Sequence, residues 1–180
     1  VKAARNPHHF LSVTKQGLTA IVATKGNLDC HVILRGGGGK PNYQPEHVAE
    51  TVEMLKGAGL EGRLMVDCSH ANSGKDHEKQ AGVAMALGEQ IAQGGTGVFG
   101  VMLESFLVGG RQNSDPGAEL TYGQSITDAC MSWDGARRLG ATAPKRRRLN
   151  EAASVREIFS CGRARPQERS ERHVRTAFGG

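Results

Sequence analysis

The sequence is short of the features that identify a secreted, membrane or zinc-knuckle protein. Its four cysteines, Cys30, Cys68, Cys130 and Cys161, lie far apart and form no CxxC pair. That spacing argues against a zinc knuckle and against a small disulfide scaffold. It fits a reducing, cytoplasmic home. No stretch is apolar for long enough to cross a bilayer, and no signal peptide is visible. The glycine-rich stretch after Arg35 lacks the GxxxxGK[ST] spacing of a P-loop. The chain opens on Val1 and not on Met, which predicts a start further upstream.

Excess positive charge is also absent from most of the chain. The net charge of +5 is an average over two unlike regions. Residues 1–134 carry 11 Lys and Arg against 14 Asp and Glu, whereas residues 135–180 carry 12 against 4. The chain is therefore expected to divide into residues 1–134 and a basic tail, 135–180. The tail holds Lys145-Arg146-Arg147-Arg148 and few apolar residues, of which Val155, Ile158 and Phe159 could make a small apolar face. It is expected to be mostly disordered. The arginine run could bind nucleic acid or acidic lipid, but a solvated tail explains it better, and no nucleic-acid partner is expected.

Within the first region short apolar runs alternate with helix-like segments. Residues 10–13, 30–34, 64–68 and 98–103 read as strands. Their near-continuous apolarity predicts burial on both faces, as in a parallel sheet. Val48, Val52 and Leu55 fall on one helical face, with Pro45 and Glu46 at its start and Gly57 and Gly59 at its end. Val83, Leu87 and Ile91 repeat the spacing, and Gly94-Gly95 stops that helix. Residues 18–24 are expected to form a shorter helix and residues 125–139 to begin the last one. The order is βα repeated four times, an α/β fold.

Three consecutive strands end in chemistry-bearing residues: Arg35, then Ser69-His70, then Glu104-Ser105. Parallel α/β folds collect their sites at these carboxyl ends. His70 could bind a divalent metal through a neutral ring nitrogen, or simply hydrogen-bond within its loop. Glu104 could be an oxygen ligand, an acid/base, or a cap. Asp128 lies in Ser-Ile-Thr-Asp-Ala-Cys, a segment that also resembles a helix N-cap. Arg35 precedes four glycines, where backbone amides and a guanidinium could grip phosphate or carboxylate; a loose surface loop is the plainer alternative. His8, His9 and His31 read as structural, and Lys15 has no supporting pattern.

Six segments, in order, then match a known family. They are Phe10–Lys15, Asp29–Gly37, Pro41-Asn42-Tyr43, Asp67–Ser73, Val101–Ser105 and Tyr122–Cys130. Together they resemble the class I 3-deoxy-7-phosphoheptulonate synthases from about residue 5 to Trp133. The resemblance implies a (β/α)8 TIM barrel, with only the last four βα units present. It implies that His70, Glu104 and Asp128 hold a divalent manganese, iron or cobalt ion, with His70 and Asp128 also serving catalysis. Arg35 would hold the phosphate of phosphoenolpyruvate. The implied reaction condenses phosphoenolpyruvate with erythrose 4-phosphate at the entry to the shikimate pathway. An aromatic amino acid would act as inhibitor, at a site that includes Phe10 and Ser12. The full-length form would be a homo-oligomer.

The sequence departs from the family pattern in three ways. The family's fourth metal ligand, a Cys, and its Lys-Pro-Arg segment would lie upstream of Val1. The loop after Arg35 is one residue longer than expected. The likeness stops near Asp134, as a shifted reading frame would make it do. A closed eight-unit barrel takes about 250 residues, so a half barrel leaves open sheet edges. Two competing expectations follow. One is a catalytically inactive fragment acting as an interaction protein, with salt-dependent binding through residues 135–180. The other is a different phosphoenolpyruvate-using aldolase on the same barrel, which the Ser-Ile-Thr-Asp-Ala-Cys segment disfavours.

Overall fold

The computed structural model describes residues 1–95 and 97–142. Of the tail expected to be disordered, 135–180, residues 135–142 instead lie in the last helix, and the rest, from residue 143, lies outside the described residues. A short helix, α1 (Lys2–Arg5), leads into two strands, β1 (His8–Val13) and β2 (Thr19–Thr24). These pair antiparallel, from His8 opposite Thr24 to Val13 opposite Thr19. The turn closes through Thr14 N–H to the Leu18 carbonyl at 2.8 Å, and Gly17 supplies the φ of 81° that the turn needs.

This corrects one expectation. Residues 18–24 form a strand and not a helix. Thr19, Ile21, Val22 and Thr24 are β-branched, which suits a pleated ribbon better than a helix. The first expected βα repeat is therefore a β-hairpin, and residues 10–13, expected to be buried on both faces of a parallel sheet, are mostly exposed in an antiparallel pair.

The parallel sheet begins at β3 (Val32–Leu34) and continues through β4 (Leu64–Asp67) and β5 (Val98–Met102), in that spatial order. Leu34 lies opposite Val66, and Val66 opposite Val101. Parallel neighbours need a crossover, and helices supply it. The helix α2 (Pro45–Gly57) joins β3 to β4, and α3 (Gln80–Ala92) joins β4 to β5. All four residues of β4 are buried, as its unbroken apolar run from Leu64 to Val66 demands in a central strand.

The core lies between this sheet and its helices. Val48 and Val52 of α2, Leu64 and Val66 of β4, and Val83 and Leu87 of α3 form one cluster. The three-to-four-residue spacing of these side chains along each helix is what brings them to a single face. Past β5 come four short strands: β6 (Ser105–Phe106), β7 (Val108–Arg111), β8 (Gln124–Ser125) and β9 (Met131–Ser132). Strand β6 pairs parallel with β9, and β7 with β8. The last helix, α4 (Trp133–Thr142), starts eight residues later than residue 125, where it was expected, because β8 and β9 occupy the interval. Its Ala136 and Leu139 are buried. Among the described residues no helix is long and apolar enough to cross a membrane.

Candidate metal centre

The carboxyl ends of β4 and β5 open onto a pocket lined by His70, Lys75, His77, Gln80, Glu104 and Asp128, among others. His70 opens a short 3-10 turn just past β4 and has a φ of 50°. A left-handed backbone is uncommon for a residue with a Cβ and clusters at functional sites. A hydrogen bond from Lys75 N–H to the His70 carbonyl, at 2.7 Å, closes the turn.

Glu104 follows β5 by two residues, and its peptide group is fixed from two sides. Its N–H donates to Gln80 Oε1 at 2.9 Å, and its carbonyl accepts from Gln80 Nε2 at 3.2 Å and from Met131 N–H at 2.9 Å. Gln80 is 1% exposed, so this amide-to-peptide clamp works where water does not compete. Asp128 is exposed in the loop between β8 and β9. Helix α4 begins only at Trp133, so Asp128 is not its N-cap.

One ligand atom from each of His70, Glu104 and Asp128 lies within 4.8 Å of the other two. His70 Nε2 and Glu104 Oε1 are 3.7 Å apart. That is too long for a hydrogen bond, yet it suits two donors sharing one ion at about 2.1 Å each. Burial raises the Glu104 carboxyl above its ordinary pKa; His70 opposes this, the neighbouring Asp128 and Asp67 add to it, and Arg35 opposes it. A divalent cation would relieve the crowding of these carboxylates. One imidazole and two carboxylates suit manganese, iron or cobalt. On geometry and on donor chemistry, the residues fit a metal.

Arg35 is exposed at the end of β3, near enough for its charge to act on Glu104. The glycines behind it form an ordered turn: Gly37 and Lys40 exchange two backbone hydrogen bonds at 3.0 Å. Gly36 has a φ of 71°, and its N–H donates to Asn42 Oδ1 at 2.7 Å. Asn72 ties this turn to the sheet. Its Oδ1 accepts from Asn42 N–H at 2.8 Å, and its Nδ2 donates to the carbonyls of Leu34 at 3.1 Å and Asp67 at 2.7 Å. Phe10 and Ser12 stand on one face of the hairpin, opposite Val22 and Ala20, on an element separate from the parallel sheet.

Sequence reasoning missed the bracing residues Asn72 and Gln80. A signal for Gln80 was present: it falls on the stripe that continues through Val83, Ala84 and Leu87, where a polar residue is out of place.

Cys68, beside the site, is fully buried. Burial, and then the charge of Asp67, push its thiol up to about 12. The folded chain therefore keeps this proton through the range where the unfolded chain loses it. The resulting stabilisation is present at neutral pH and is lost as pH rises toward about 12. At pH 8 iodoacetamide is expected to modify the half-buried Cys30 well before Cys68, as read by mass spectrometry. Equal labelling rates would mean that β4 is not held in the core.

Comparisons with known proteins show what the chain is similar to. The family model described as "DAHP synthetase I family" matches residues 1–140. A phospho-2-dehydro-3-deoxyheptonate aldolase of Haemophilus influenzae is 52% identical over 139 residues, covering 77% of this chain and 38% of the relative. The Phe-sensitive aldolase of Escherichia coli K12 is 52% identical over 151 residues, covering 82% of this chain and 43% of the relative. A solved phospho-2-dehydro-3-deoxyheptonate aldolase of Francisella tularensis SCHU S4 superposes with a TM-score of 0.68 at 50% identity, covering 77% of this chain and 40% of that one. The chain thus spans about two fifths of the length of these relatives. With the family match running through every strand and helix that builds the pocket, the chain belongs to the DAHP synthetase I family.

Proposed function

We propose that residues 1–142 are the metal-bearing part of a 3-deoxy-7-phosphoheptulonate synthase. The observation that carries this reading is the meeting of His70, Glu104 and Asp128 donors within 4.8 Å, in a chain half identical to the family's aldolases. On this reading the three parallel strands, with their helices, are the closing units of a (β/α)8 barrel, and the hairpin precedes them.

His70, Glu104 and Asp128 hold the divalent ion, which when bound supplies Lewis acidity toward the aldehyde of erythrose 4-phosphate. Arg35 grips the phosphate of phosphoenolpyruvate with paired N–H donors and sets that substrate at the rim of β3. The Gln80 clamp keeps Glu104 in place, so little reorganisation is needed when substrate arrives. C3 of phosphoenolpyruvate bonds to the aldehyde carbon, water adds at C2, and phosphate departs from C2. The products are 3-deoxy-7-phosphoheptulonate and inorganic phosphate. The hairpin face with Phe10 and Ser12 receives an aromatic amino acid as inhibitor. The full-length protein is a cytoplasmic homo-oligomer.

A chimera tests this. Residues 1–142 replace the matching part of the Phe-sensitive Escherichia coli relative, and phosphate release is followed with manganese and both substrates. The folded chimera is expected to turn over. Arg35→Ala is expected to lower kcat/KM for phosphoenolpyruvate roughly 100-fold, and Arg35→Lys to recover only part of it. A folded, manganese-loaded chimera that releases no phosphate refutes the proposal.

A further inference from the structure

Asp67 is a carboxylate at the end of the most deeply buried strand, with 2% of its surface exposed. Such a group persists in a core only when its oxygens are satisfied, and both are. Oδ1 accepts from Ser69 N–H at 2.8 Å and from Ser69 Oγ–H at 2.6 Å. Oδ2 lies 2.7 Å from His70 Nδ1. Ser69 Oγ also approaches Nδ1, at 2.8 Å, but its hydrogen is committed to Asp67. An ionised carboxylate can only accept, so the hydrogen on this side of the ring must sit on Nδ1. In the neutral ring the other nitrogen, Nε2, then carries the lone pair, on the side where Glu104 Oε1 stands 3.7 Å away.

We infer that Asp67 is a positioning residue: it holds His70 as the Nδ1–H tautomer, with Nε2 aimed between Glu104 and Asp128, before any ion arrives. The inference rests on the metal reading given above for its purpose, but its geometry is a property of the metal-free chain. Asp67 touches neither ion nor substrate and acts through the imidazole.

The discriminating variant is Asp67→Asn, which keeps size and shape. Ser69 N–H and Oγ–H still require an acceptor, so the amide oxygen stays with Ser69 and the NH2 faces His70. Nδ1 must then accept, and the hydrogen moves to Nε2, where it blocks the donor lone pair. Long-range 1H–15N spectra of the metal-free 180-residue chain read this directly. The wild type is expected to show Nδ1–H at His70 and Asp67→Asn to show Nε2–H. Cobalt(II) titration followed by absorbance is expected to show an affinity about 10- to 100-fold lower in the variant, with unchanged circular dichroism. If His70 of the folded wild type carries its hydrogen on Nε2, the inference is overturned, even should the variant fail to fold. It is also overturned if Asp67→Asn leaves the tautomer as it was, or switches it without changing cobalt affinity. A wild type that binds no cobalt while showing the tautomer switch on substitution would keep Asp67 as the positioning residue and remove the metal reading instead.

Discussion

Replacing His70 with alanine is expected to weaken cobalt(II) or manganese(II) binding by about 100-fold or more, measured by calorimetric titration of the chain. His70 offers the one nitrogen donor of the trio; Glu104 and Asp128 offer only carboxylate oxygen. Two carboxylates without the imidazole make a weak and poorly selective site for a transition metal. The folded core should survive the change, because the buried cluster, drawn mainly from α2, β4 and α3 with Met131 and Leu139, does not include His70. The cost to stability should be about 1–3 kcal/mol, because Oδ2 of the buried Asp67 loses its partner, His70 Nδ1. Retention of full affinity in a folded His70→Ala chain would show that the ion sits elsewhere.

The largest effect on stability is expected at Leu87. This side chain is fully buried, and it packs in the cluster that joins both crossover helices to the sheet. Leu87→Ala removes buried methyl groups and leaves a cavity, at a cost of about 2–5 kcal/mol. Against the about 5–15 kcal/mol that holds a typical domain folded, that is a large share. Strands β3 and β5 each have one strand neighbour among the described residues, so the sheet offers little redundancy to absorb the loss. The site should feel it too, because α3 carries Gln80 at its first turn and Gln80 clamps Glu104. Urea unfolding gives the number. Leu11→Ala serves as the control: Leu11 is 74% exposed on the hairpin, and its loss should change stability by less than about 0.5 kcal/mol. A Leu87 variant within 1 kcal/mol of the parent, by the same estimate, would contradict the assignment of the core.

Much of this fold was legible because burial writes itself into period and composition. The unbroken run Leu64-Met65-Val66 announced a strand covered on both faces, and β4 is that strand. The spacing of Val48, Val52 and Leu55 announced the inward face of α2, and all three are buried. Residues 18–24 were misread because a short apolar segment fits either period when length does not decide. The β-branched residues and the Lys15-Gln16-Gly17 turn favoured the hairpin that forms. At the site, His70, Glu104 and Arg35 stood out as strand-end residues. Their meeting could not be read locally, since Asp128 joins the group through β7–β8 and β6–β9 pairings between distant segments. The bracing groups were hidden for a different reason. Asp67, Asn72 and Gln80 are polar, and polar residues in a sequence read as surface until their buried partners are known.

The central claim is that one divalent ion joins His70, Glu104 and Asp128. Anomalous diffraction at the manganese edge, from crystals of the chain grown with manganese(II), tests it most directly. The account predicts a peak about 2.0–2.3 Å from His70 Nε2, a Glu104 oxygen and an Asp128 oxygen together. A peak bound by other residues, or none at this trio in a fully soaked crystal, would contradict it.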